Sequence, residues 1–257
     1  MKERARKTWI AIGKSGAQFL AALAFLLLVW WIAYISAKNE LLVPKISDCF
    51  KEMGELLGKS WFWEYFFTTV GRVLLAFFIS FVFALIFAVI AYMVPWFASF
   101  FAPLVTALRS LPTLAVTLVL LTWFQAGGTP IAVAFLVLFP MLYTGILAAL
   151  SGIDKHLLDI GKVYGASAKN KIFRVYLPLS APYILRESAA ALSFSLKLVV
   201  SAEVVASTAR SLGGLMEDAQ GYDLPRLFAL VIVTFLVGLF LEVLVGLLTA
   251  KVENKSR

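Results

Sequence analysis

Long apolar runs separated by short polar stretches order this chain from end to end. The runs fall at about Ala17 to Ala37, Thr68 to Val94, Phe101 to Phe124, Ile131 to Leu150, Tyr183 to Ala206 and Leu224 to Ala250. Each holds about twenty residues or more, enough to cross roughly 30 Å of hydrocarbon as a helix. None shows the in–out alternation of a membrane strand. Lipid offers the backbone no partner outside a helix or a closed barrel. The pattern therefore predicts an all-α integral membrane protein with six transmembrane helices.

The intervals refine that outline. Residues 1–16 read as a basic leader, and the first span (17–37) ends in Trp30, Trp31 and Tyr34, which suit a membrane interface. It is too long for a cleaved signal core and reads as a retained helix. In the polar segment 38–63, Ile46, Phe50, Met53 and Leu57 recur at helical steps, predicting an amphipathic helix lying on the membrane. Trp61, Phe62, Trp63, Tyr65 and Phe66 read as an aromatic belt before the second span. Pro95-Trp96 predicts a tight turn, Pro112 an interruption of the third span, Gln125 to Pro130 a loop, and Pro140 a break in the fourth. Gly213-Gly214 marks a loop before the sixth span. Residues 64–250 read as one core, and 251–257 as a tail.

Composition agrees: 61% of positions are hydrophobic and 15% charged, far from the soluble average. The net charge of +8 raises nucleic acid as a partner, but in a membrane protein surplus Lys and Arg mark the cytoplasmic face. Leader, tail and the stretch 151–178 carry thirteen of them, the opposite segments six. Both termini and residues 151–178 are therefore expected in the cytoplasm, in a multi-pass membrane protein without a nucleic-acid partner. The single Cys49 and single His156 offer no disulfide framework and no metal cluster. No Ser-His-Asp catalytic set can be assembled. Gly13-Lys14-Ser15 imitates the end of a phosphate loop, but Thr8 stands where that motif requires Gly.

The polar island DIGKVYGASAKNKIFRVYLP, Asp159 to Pro178, is the most informative stretch. Ile153, Leu157, Ile160 and Tyr164 share one helical face. Gly165 allows a sharp turn, Ser167 can cap a second helix bearing Lys169, Lys171 and Arg174, and Pro178 ends the unit. The result is an elbow projecting from the membrane.

Its spacing resembles the EAA loop of ATP-binding-cassette importer permeases: Glu-Ala-Ala, three residues, Gly, nine residues, Ile-x-Leu-Pro. Asp159-Ile160-Gly161 departs from the first triplet, while Gly165 and Leu177-Pro178 match across nine residues, Ala166 to Arg174. Further segments are similar to the nitrate/sulfonate/taurine-type branch: Thr68, Thr69 and Arg72; Arg109, Pro112, Trp123 and Phe124; Ala202-Glu203. The resemblance covers about Phe66 to Gly246. It implies a type I importer permease fold, acting as a homodimer. A cytoplasmic ATPase dimer would carry the ATP and dock on the elbows near Gly165, Ala166 and Ser167. An extracytoplasmic binding protein would deliver a small solute of the nitrate, sulfonate, taurine or vitamin-precursor class.

Arg72, Arg109, Lys197, Glu203 and Glu242 fall in or near spans, where each costs roughly 2–3 kcal/mol at mid-bilayer unless paired or wetted. Lys197 and Glu203 lie about 240° apart around one helix, so they do not pair with each other. They either line a pathway or pair with other helices. Arg109 is expected near the cytoplasmic end of its span, where it can snorkel. A self-sufficient secondary transporter is the first alternative, but no matching inverted halves are found. A membrane-embedded enzyme is the second.

Overall fold

The computed structural model describes residues 2–40, 42–153 and 176–255. Of the island, Asp159, Gly161, Gly165, Ala166 and Ser167 lie outside the described residues; Leu177 and Pro178 lie within them. The described chain forms eight helices: α1 Lys2–Ala37, α2 Ile46–Leu57, α3 Ser60–Met93, α4 Pro95–Ser110, α5 Thr113–Ser151, α6 Leu177–Val205, α7 Leu212–Ala219 and α8 Leu224–Lys255. Two units separate: residues 1–58 with 219–229, and residues 59–218 with 230–257.

In the first unit the Trp30 indole donates to the Pro44 carbonyl at 3.2 Å and its ring packs 5.2 Å from Phe228. The Tyr34 hydroxyl donates to Glu40 at 3.2 Å. These polar tips on apolar bodies fix where α1 ends. Helix α2 occupies the predicted place. Cys49 and Leu56 are buried, whereas Phe50 and Leu57 are exposed. The buried line follows the aliphatic and thiol positions, leaving Phe50 and Leu57 for an apolar surface.

The second unit is built on α3. Thr69, Val73, Ala76, Ser80, Ala84, Ala88 and Ala91 form its buried stripe. Small side chains at helical spacing let neighbouring backbones approach closely in lipid. Helix α5 packs along α3 and buries Val133, Ala134, Leu138, Leu142, Ile146 and Leu150. Ring contacts Phe83–Phe135 at 5.8 Å and Phe87–Phe139 at 5.7 Å advance together, so α3 and this part of α5 run parallel. Helix α6 runs antiparallel: Tyr92 meets Tyr176 at 5.4 Å, while Ser195 Oγ donates to the Val73 carbonyl at 3.2 Å.

Helices Ser60–Met93, Thr113–Ser151, Leu177–Val205 and Leu224–Leu247 are each long and apolar enough to cross a bilayer; Ala21–Ala37 is a shorter apolar helix. The predicted third span is divided differently. Helix α4 starts at Pro95 and stops at Ser110, and α5 begins at Thr113. Leu111 is extended (φ −69°, ψ 129°), the conformation a following proline imposes. The expected loop 125–130 shrinks to one residue: Gln125 alone is non-helical (φ 54°, ψ 179°). The helix resumes through Gly127, Gly128 and Pro130. Proline 130 leaves the Ala126 carbonyl without its helical donor, and the Thr208 hydroxyl supplies one at 2.8 Å.

Pro140 does not break α5, which stays helical across it. Pro178, expected as a stop, instead lies in the first turn of α6, where no N–H is needed. The helix of the second predicted span, α3, starts at Ser60 rather than Thr68, absorbing the aromatic belt, and the Gly213-Gly214 segment is helical, as α7.

Burial, then the negative charge of Asp48, push the Cys49 thiol from 9.0 up to about 11. Its thiolate at neutral pH is thus rarer by about a hundredfold than in an exposed cysteine. A maleimide is expected to label Cys49 very slowly in the folded protein at pH 7.5 and still slowly at pH 9, but rapidly at both after SDS unfolding. Fast labelling of the folded protein at pH 7.5 would contradict this environment.

Candidate functional site

The densest polar chemistry of the second unit surrounds Glu203, near the C-terminal end of α6. Its side chain is fully buried. The carboxylate accepts from Arg72 Nη1 at 2.9 Å, from Thr69 Oγ1 at 3.0 Å and from the Gly213 amide at 3.2 Å. Thr69 and Arg72 sit three residues apart on α3, hence on one face. The Thr69 hydroxyl also accepts from the Leu212 amide at 2.9 Å. Both amides belong to the first turn of α7, so the carboxylate and hydroxyl cap that helix.

Glycine makes the closure possible. A Cβ on Gly213 would overlap Glu203 Cβ and stand 2.7 Å from both the Val200 carbonyl and the Val204 amide; one on Gly214 would overlap the Thr208 carbonyl oxygen. The loop between α6 and α7 is tightened by the Thr208 amide donating to the Glu203 carbonyl at 2.9 Å and by Ser211 Oγ, which donates to the Thr208 carbonyl at 2.7 Å. Ser207 and Arg210 take left-handed backbone (φ 47° and 51°) in this loop. That conformation is uncommon for residues with a Cβ.

The opposite face of α6 is uncovered. Tyr183, Arg186, Ala190, Phe194, Lys197 and Ser201 are exposed at steps of three and four, one stripe along most of the helix. Three clefts flank it. One of about 300 Å³ lies toward α5 and includes Thr113, Thr117, Lys197 and Ser201. Another, of about 360 Å³ toward α8, shares Lys197 and Ser201 and adds Glu242. The third, of about 630 Å³ near the start of α6, holds Arg186 and Glu187 beside Gly145.

The structure thus brings Arg72 and Glu203 together in a buried ion pair and leaves Lys197 on the uncovered stripe. Arg109 is exposed in the last turn of α4. It lies fourteen residues from Pro95, about 21 Å along the helix. Leu177 is half-buried and Pro178 exposed. Sequence reasoning missed Arg186 and Glu187. Their signal was Gly145 in an apolar run: a Cβ there would stand 2.9 Å from Glu187 Cγ and Oε2. It also missed Thr208 and Gly213, whose partners lie on distant helices.

The profile of a protein family described as "binding-protein-dependent transport system inner membrane component" matches residues 81–254. The chain belongs to this family. Among its relatives is the riboflavin transport system permease protein RibX of Chloroflexus aurantiacus, 30% identical over 247 residues, covering 95% of this chain and 90% of that one. The taurine transport system permease protein TauC of Escherichia coli is 25% identical over 242 residues, covering 90% and 88%. In fold, the permease is similar to a chain of the inward-facing MetNI methionine ABC transporter, with TM-score 0.64 and 16% identity over 72% of this chain and 93% of that one. A chain of a bacterial alginate ABC transporter, solved with an alginate-pentasaccharide-bound periplasmic protein, gives TM-score 0.62 at 14% identity, covering 93% and 94%.

The permease therefore has the type I importer fold and belongs to the nitrate/sulfonate/taurine-type branch. It is a multi-pass inner-membrane subunit of a binding-protein-dependent importer, working with an ATPase on a separate chain and with a binding protein. It is a transport subunit and not an enzyme.

The buried pair makes a stability prediction. Glu203→Ala strands the Arg72 guanidinium and the Gly213 amide, and is expected to cost about 3–5 kcal/mol. Arg72→Ala in that background should cost far less than it does alone. Gly213→Ala should destabilise although it removes nothing. Thermal unfolding in detergent, run as a double-mutant cycle, checks the coupling; additive losses would show that the pair is not energetically joined.

Proposed function

We propose that the exposed stripe of α6 lines the translocation pathway, where two copies of the permease meet as a homodimer. The observation that carries this is Lys197. It is a cation on an uncovered face, twenty residues from the start of a membrane-spanning helix, with no ion-pair partner within 4.0 Å among the described residues. Facing lipid, such a charge costs roughly 2.5–3.5 kcal/mol; facing water between two subunits removes that cost.

Both termini and the 154–175 segment lie in the cytoplasm on this reading, supported by the thirteen-to-six excess of Lys and Arg. The Tyr92–Tyr176 contact then puts the 94–95 turn at the cytoplasmic end, and Gln125, the Glu203 network and α7 at the outer end. The elbow around Gly165 takes the ATPase, which holds the ATP. An extracytoplasmic binding protein brings the solute, from the nitrate, sulfonate, taurine or vitamin-precursor class. The taurine and riboflavin named for the relatives support that range.

Transport in membrane vesicles carrying permease, ATPase and binding protein tests the assignment. Lys197→Glu is expected to reduce uptake more than tenfold while the ATPase still co-purifies. Deleting residues 165–174 is expected to abolish co-purification. Unchanged uptake in Lys197→Glu would remove α6 from the pathway, and intact co-purification after the deletion would remove the elbow from the coupling.

A further inference from the structure

We infer that the cleft between α5 and α6 is a binding station for a small organic anion with a short apolar body, and that the Lys197 ammonium is its counter-ion. This rests on the α6 pathway reading and adds to it a position and a charge sign for the passing solute.

Charge balance picks out this cleft. The inner cleft, near the start of α6, has both Arg186 and the neighbouring Glu187 in its lining. The cleft toward α8 has both Lys197 and Glu242 in its lining, with no ion pair between them within 4.0 Å. In the cleft toward α5, Lys197 is the one charged residue of the lining, with no carboxylate to balance it. The hydroxyl-bearing residues there are Thr113, Thr117 and Ser201. Thr117 is buried and donates to the Thr113 carbonyl at 2.8 Å, so its hydroxyl is already committed. Thr113 and Ser201 are exposed and are able to donate to an anion.

The rest of the wall is apolar, with Leu114, Phe194 and Leu198 among its residues. A fully hydrated inorganic anion would gain nothing from those side chains. A sulfonate or carboxylate on a short hydrocarbon matches both parts: its head meets Lys197 and its body the apolar wall. At about 300 Å³ the cleft suits a solute of modest size. It adjoins the region where α4 ends at Ser110 and α5 restarts at Thr113. Irregular backbone at membrane depth is tolerated where it lines a cavity.

The test places a cysteine on the wall and reads the local charge. Leu114→Cys, in a Cys49→Ala background, is made in the complete transporter with its ATPase and reconstituted in liposomes. It is treated with methanethiosulfonate reagents bearing either a sulfonate or a trimethylammonium group. After division by each reagent's rate with free cysteine, the anionic reagent is expected to react about tenfold faster, as one unit charge several ångströms away in a wet site would produce. Lys197→Ala should bring the ratio near one, Lys197→Glu should reverse it, and Lys197→Arg should keep it. Millimolar ethanesulfonate should slow the reaction in the parent but not in Lys197→Ala. Equal rates for both reagents with no ethanesulfonate protection would overturn the anion station and leave the pathway reading standing. A cysteine unreactive toward both reagents would overturn the pathway reading itself.

Discussion

The buried carboxylate of Glu203 is the constraint on which the joining of α3, α6 and α7 depends. A carboxylate removed from water loses several kcal/mol of solvation, which one cation alone regains only with good geometry and further hydrogen bonds. Here the further bonds come from Thr69 and from the Gly213 amide. Three separate pieces of chain, α3, the end of α6 and the start of α7, must therefore arrive together. Gly213 has no side chain because the carboxylate's own Cβ occupies that space. Once the loop is drawn in, Thr208 reaches the Ala126 carbonyl that Pro130 leaves unpaired. A proline on one helix and a glycine on another are thus satisfied by the same short loop.

Much of this was legible in the sequence, and particular residues show where legibility stopped. Span positions followed from continuous apolar runs because a bilayer imposes length and composition directly. Pro112 was read correctly as an interruption because it constrains Leu111 whatever surrounds it. Pro140 was read wrongly: one missing N–H is a small loss in a helix packed on both sides, and α5 runs on through it. The break at Gln125 was placed correctly as the start of a loop, but not its brevity: helix resumes at once through Gly127, Gly128 and Pro130. The six-residue separation of Lys197 and Glu203 did show that they part company around the helix. Which of them turned inward required knowing where Arg72 would stand.

The same limit explains Arg186 and Glu187. Adjacent opposite charges at the edge of an apolar run look like an interfacial pair in sequence. Only the position of Gly145 on α5 shows that Glu187 is drawn against a neighbouring helix. The clefts likewise depend on which helix faces are left bare, a property of the assembled bundle and of no single segment.

Helix α6 joins these observations mechanically. It begins at Leu177, directly after the proposed coupling segment, and is pinned by Glu203 twenty-six residues later, about 39 Å along its axis. Its prolines, Pro178 and Pro182, lie in the first two turns, so the remainder has an unbroken ladder and moves as a rod. On the proposed coupling, a push at the cytoplasmic end has a fixed point at the outer end, because freeing Glu203 would strand a buried charge. The rod then pivots, and displacement falls with distance from the pin. Lys197 lies six residues from it, less than a quarter of the way to Leu177. A large movement at the elbow becomes a small one at the lysine while the inner cleft, near the driven end, opens widely. The proposed anion station would then remain nearly fixed while access from the cytoplasm changes, as alternating access around a stationary site requires.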